Sequence, residues 1–243
     1  MKLFLTSEIG ATIKINGKRC AGKIDNQYGF LDLLKMHLNR TERMLYLSAY
    51  AEDQLRISEW FSNTIEALKN EGILFGESVL INGKNAHLLE ALLADTDVVF
   101  LSGGHLPTQN RFFADIHLKE MLKNYDGIII AQSAGSMNCA STVYVCPEIP
   151  GEAMDPDFHR FRSGLGLTDL RVIPHYNKNR HMLLDGMRFY EDIIAPDTFC
   201  VPLYLLMDGS FFYIEDNHPP VSYGEIFRFY QGKIKRIGLK EIL

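Results

Sequence analysis

The chain has 243 residues, 47% hydrophobic and 23% charged, which excludes a disordered chain, a coiled coil and a collagen-like fibre. Its 25 basic and 30 acidic side chains give a formal net charge of −5, which favours solubility and argues against nucleic acid as a partner, because neutralising phosphates needs a basic surface. Dividing by roughly 150 residues per domain gives about 1.6 domains, a bound rather than a count.

No run of about 18 apolar residues occurs, so no membrane span is expected. The N-terminal apolar stretch meets a charge at Glu8, too soon for a signal segment. Cys20, Cys139, Cys146 and Cys200 fit no CxxC spacing and read as buried free thiols of a cytoplasmic protein. HExxH, GxGxxG and GxxxxGK[ST] are absent, so neither a metal nor another cofactor is expected.

In chain order, residues 3–6 read as a first strand and residues 44–48 as a strand buried on both faces. Residues 58–69 carry Trp60, Phe61, Ile65 and Leu68 at helical spacing. An apolar stretch at 73–81 precedes a helical pattern at 85–93. A buried strand at 97–101, a helix at 112–122 and a buried strand at 125–131 follow, then a small-residue helix at 133–140. Strands alternating with helices imply βαβ units and a mainly parallel sheet. Beyond Thr168 the pattern predicts a strand at 169–173 and a helix at 182–194. Short runs at 199–207, 210–214, 221–222, 225–230 and 233–239 read as hairpins or edge strands, with turn signals at Asp208-Gly209 and Gln231-Gly232. The expectation is one three-layer, doubly wound α/β domain over residues 1–243, extended by antiparallel strands near the C-terminus.

The sharpest motif is Ile130-Ala131-Gln132-Ser133-Ala134-Gly135-Ser136. A buried strand ends, a serine stands at the turn, and small residues open a helix, as a nucleophile elbow requires. The same pattern suits Ser133 as a helix N-cap. The N–H of Ala134 could stabilise an oxyanion. Ser102-Gly103-Gly104-His105 also follows a strand, so Gly103 and Gly104 could complete that hole or form an ordinary turn. A serine nucleophile needs a base and an orienting carboxylate. His175 follows the strand at 169–173, and Asp208 ends an apolar run before Gly209. Each also has a purely structural reading.

Together Ser102-Gly103-Gly104-His105, Gln132-Ser133-Ala134-Gly135-Ser136, Ile173-Pro174-His175-Tyr176 and Met207-Asp208-Gly209-Ser210 resemble the aspartyl dipeptidase (peptidase E) and cyanophycinase family of serine peptidases. The resemblance runs from about residue 42 to 214. It implies a fold similar to class I glutamine amidotransferases, with Ser133 as nucleophile, His175 as base and Asp208 as the third member. The chain departs from the family where His105 replaces an Asn, Ala131 the first elbow glycine, and Asp208 a Glu. The substrate expected is a small peptide, with no nucleic acid or membrane partner and a homodimer as a common state of such folds. His105, Gln132 and Arg171 are candidate substrate-binding residues, and Arg171, Arg180 and Arg188 lie near the His175 segment. In the family a loop at 147–163 borders the site. Two other readings are an α/β-hydrolase-type esterase, whose order requires His218 as base, and a non-catalytic binding relative.

Overall fold

The computed structural model describes residues 1–39, 41, 43–216 and 218–242. The chain opens with β1 (Lys2–Thr6) and a hairpin of β2 (Thr12–Ile15) and β3 (Lys18–Ala21). The hairpin turns at Asn16-Gly17, both at positive φ, as the twist of paired strands favours. Then come α1 (Phe30–His37), β4 (Arg43–Leu47), α2 (Gln54–Asn70), β5 (Glu77–Ile81), α3 (Leu89–Leu93), β6 (Val98–Leu101), α4 (Leu106–Asp115), α5 (Leu118–Leu122), β7 (Ile128–Gln132) and α6 (Ala134–Asn138). The second half adds β8 (Thr142–Tyr144), β9 (Phe161–Ser163), β10 (Val172–Ile173), α7 (Tyr176–Asn179), β11 (Leu183–Leu184), β12 (Met187–Arg188), β13 (Leu203–Leu206), β14 (Phe211–Glu215), β15 (Val221–Tyr223), β16 (Ile226–Tyr230) and β17 (Lys233–Arg236).

The central sheet runs β15-β14-β1-β7-β6-β4-β5. Its strands β1, β7, β6, β4 and β5 are parallel, and β14 and β15 extend it antiparallel beside β1. Strand alternation sends Leu5, Leu45, Val99 and Ile129 to one buried cluster and Phe4, Tyr46, Phe100 and Ile130 to another. Both faces are therefore covered, and the strands read as unbroken apolar runs. A second sheet, β10-β13-β16-β17, lies in the C-terminal half. Among the described residues no helix is long and apolar enough to cross a membrane.

Four expectations need correction. The helix at 112–122 divides, because His117 adopts a left-handed φ of 54° between α4 and α5. Residues 182–194 are not one helix. Asp185 and Gly186, at φ 52° and 77°, turn β11 back on β12, and only residues 189–194 form a helical turn. Asp208-Gly209 is no hairpin, since β13 and β14 belong to different sheets and the dipeptide carries the chain between them. Of the cysteines, Cys139 and Cys146 are buried, whereas Cys20 is half-buried and Cys200 exposed.

Candidate active site

The parallel register pairs Thr6 with Gln132 and Leu101 with Ala131. The segments that leave β1, β6 and β7 therefore emerge side by side at one edge, where ligand sites of open α/β sheets lie. Ser133 is the first residue past β7. Its backbone sits at φ 54°, ψ −119°, a conformation costly for a residue with a side chain and found at functional turns. Its N–H donates to the Thr6 carbonyl at 3.1 Å. The side chain makes no capping bond to α6, which sets aside the N-cap reading. Instead Ser133 Oγ lies 3.0 Å from His175 Nε2. The small residues beyond it are required by contact. A Cβ on Gly135 would sit 2.1 Å from the Leu101 carbonyl oxygen, and Ser136 Oγ bonds the carbonyls of Thr6 and Ala131 at 2.8 and 2.7 Å.

The neighbouring loop is equally constrained. Ser102 donates its N–H to the Leu47 carbonyl at 2.8 Å. Its hydroxyl accepts from Tyr46 at 2.6 Å and its carbonyl from Gln109 Nε2 at 2.6 Å. Gly104 has φ 128°, and a Cβ there would lie 2.5 Å from Ala49 Cβ. Gly103 packs against Ser133, at 3.2 Å from Cβ to Cβ if it carried one. Gly103, Gly104 and Ala134 thus gather around Ser133. His105 turns back to its own helix, with Nδ1 2.7 Å from Thr108 Oγ1.

His175 follows β10 and the rigid Pro174, in the left-handed region at φ 60°. Its Nδ1 lies 2.7 Å from Asp208 Oδ1. Because Asp208 sits where the chain crosses between sheets, its carboxylate is brought to the site. Ser7 completes the clamp: its hydroxyl accepts the His175 N–H at 2.8 Å and donates to Asp208 Oδ1 at 2.9 Å. Asn177 Nδ2 and Lys178 Nζ reach Asp208 Oδ2 at 3.2 and 2.9 Å. Burial opposes ionisation of Asp208, but the hydrogen bonds and charges of His175 and Lys178, with Ser7, hold its carboxyl well below the usual carboxylate range.

Two cavities meet at Ser133 and His175. The larger, about 430 Å³, carries Glu8, Gln132 and Lys178 near the serine, and Lys14, Arg19 and Trp60 further out. The smaller, about 300 Å³, is more apolar, with Met137, Cys146, Met182 and Phe189, and takes Glu148 from the 147–163 loop. Gln132 lines the larger cavity and donates Nε2 to Glu8 Oε1 at 3.2 Å. Arg171 stands apart. It precedes β10, at the end opposite His175, donates to the Asp169 carbonyl at 3.4 Å and lines neither cavity. Arg188 is held by Asp192 at 2.6 Å. The cavity's cations come instead from the hairpin and α7. His218 lies just past β14, which runs antiparallel to β1 with Glu215 paired to Lys2. It therefore stands at the far edge of the sheet from Ser133, away from the position an esterase base would need.

Sequence reasoning missed Ser7, Glu8, Asn177 and Lys178. A usable signal was present, since Ser7, Ser48, Ser102 and Ser133 each stand immediately after a parallel strand. The same position relative to its strand marks Ser7 as belonging to the same edge.

The model of peptidase family S51 matches residues 27–220. A crystal structure from Listeria monocytogenes EGD-e, of a protein provisionally named peptidase E, superposes with a TM-score of 0.58 at 14% identity over 98% of each chain, a likeness of fold. No curated protein matches. The chain belongs to peptidase family S51, and it is a serine peptidase of the peptidase E type.

Proposed function

We propose that this peptidase hydrolyses small peptides, in the manner of a dipeptidase, with Ser133, His175 and Asp208 as its triad. Ser133 Oγ attacks the scissile carbonyl carbon while its proton passes to His175 Nε2. The resulting oxyanion accepts N–H bonds from the Gly103-Gly104 loop and from Ala134. Asp208 fixes the imidazole orientation and stabilises the imidazolium. His175 then protonates the amine nitrogen, the C–N bond breaks, and an acyl-enzyme remains. Water, deprotonated by His175, attacks the acyl carbon. Collapse of this second intermediate returns the proton to Ser133 and releases the acid.

The observation that carries this reading is the Ser133–His175–Asp208 chain, 3.0 and 2.7 Å, at a strained elbow. Small peptides are favoured because the two cavities meeting at Ser133 have volumes of about 430 and 300 Å³, at the small end of ligand sites. The triad draws on Ser133, His175 and Asp208 and its clamp on Ser7, so we also read residues 1–243 as one domain. A dipeptide screen that includes N-terminal aspartyl and glutamyl peptides tests the reading. Hydrolysis by the wild type and none by Ser133→Ala is expected. Equal hydrolysis by both would overturn it.

A further inference from the structure

The larger cavity holds a carboxylate that the triad does not use. Glu8 leaves the end of β1 beside Gln132, the residue next to the nucleophile, and its side chain is 28% exposed. Gln132 Nε2 orients one oxygen at 3.2 Å, and Lys178 Nζ stands 3.9 Å from the other. That ammonium is closer to Asp208, at 2.9 Å, so one cation is shared between two carboxylates. Glu8, Asp208 and Lys178 together bring two acidic side chains and one basic one to this corner. Burial raises the Glu8 carboxyl above the usual range, against the lowering effects of His175 and Lys178. The Glu8 carbonyl also accepts the Gly209 N–H at 3.0 Å, which ties the segment to the loop carrying Asp208.

A carboxylate in the wall of the cavity that Ser133 also lines attracts a positive charge arriving with the substrate. A short peptide brings one. In a dipeptide the free α-ammonium is borne by the carbon next to the scissile carbonyl, so docking that carbonyl at Ser133 brings the ammonium into the cavity that Ser133 and Glu8 both line. The cavity's other cations, Lys14 and Arg19, belong to the hairpin, where Arg19 stacks over Trp60 at 4.7 Å.

We propose that Glu8 is a specificity-determining residue that binds the free α-ammonium of the substrate, so that the enzyme acts on short peptides with unblocked N-termini. The proposal rests on the reading of Ser133 as nucleophile. It is tested by binding rather than turnover. Calorimetry of the Ser133→Ala protein compares alanyl-leucine with N-acetyl-alanyl-leucine. The free-amine peptide is expected to bind about tenfold or more tightly, in keeping with a charge-assisted hydrogen bond. Adding Glu8→Gln should bring the two peptides within about twofold. Glu8→Asp, which keeps the charge on a shorter arm, should retain part of the preference and serves if the Gln variant does not fold. Equal binding of the two peptides, no binding of the free one, or an unchanged preference without the Glu8 charge would overturn the proposal. Labelling of wild-type protein by a fluorophosphonate probe, with Ser133→Ala as control, judges the nucleophile separately.

Discussion

Two parts of one sheet edge build this site in contrasting ways. The turns after β6 and β7 carry the proposed nucleophile and the backbone N–H groups proposed for the oxyanion, and they are held by steric necessity: Gly135 against Leu101, Gly104 against Ala49, Ser133 in a strained conformation. The segment after β1 holds nothing reactive in the proposed mechanism. It acts by polar contacts, with Ser7 joining His175 to Asp208, and Glu8 reaching Gln132 and Lys178. The first part should be intolerant of change, while the second should tolerate it with graded loss.

The sharpest contrast comes from replacing Asp208, the group on which the second part converges. Asp208→Asn should lower kcat about 10⁴-fold by disturbing the imidazole's tautomer, measured on any peptide the wild type cleaves. It should also change the pH dependence of stability. The Asp208 carboxyl is depressed in the folded state, so its ionised form stabilises the fold above the unfolded value of about 4. That contribution fades as pH falls below about 4 toward the folded value. Denaturant midpoints of wild type and Asp208→Asn should therefore converge on acidification from pH 6 to 3. A constant difference would contradict the assignment.

Within the first part, Gly135→Ala should destabilise the protein by about 1–3 kcal/mol through overpacking against the Leu101 carbonyl, read from thermal unfolding. Activity should fall with it, because the elbow must move. Within the second part, Ser7→Ala should lower kcat/KM only about tenfold, since it removes the bridging hydroxyl and leaves the triad in place. Its pH–rate profile should shift, and Ser7→Thr should restore much of the rate. A loss as large as that of Asp208→Asn would erase the distinction between the two parts. Smallest of all, Arg171→Ala should stay within about twofold of wild type in kcat/KM, because Arg171 lines neither cavity.

The same contrast explains what could be read in the sequence. The elbow was legible because close packing leaves a residue-by-residue trace: Ala131, Ala134 and Gly135 around one serine. The parallel sheet was legible in unbroken apolar strands. Ser7 and Glu8 carried no such packing trace, because their contacts are made across 124 residues or more of chain. Lys178 was hidden because only the folded arrangement brings it to Asp208 and Glu8. Arg171 was misplaced because proximity in sequence to His175 says nothing about which end of β10 a side chain occupies. Asp208-Gly209 reads as a hairpin turn until the pairing of β14 with β1 shows that the chain changes sheets there.

In the proposed mechanism Ser133 is the activated nucleophile of this edge. Labelling by a fluorophosphonate probe tests it most directly, comparing wild type with Ser133→Ala and locating the adduct by peptide mapping. The account predicts one adduct, on Ser133, and none on the variant. Equal labelling of the two proteins, or an adduct on another serine, would contradict it.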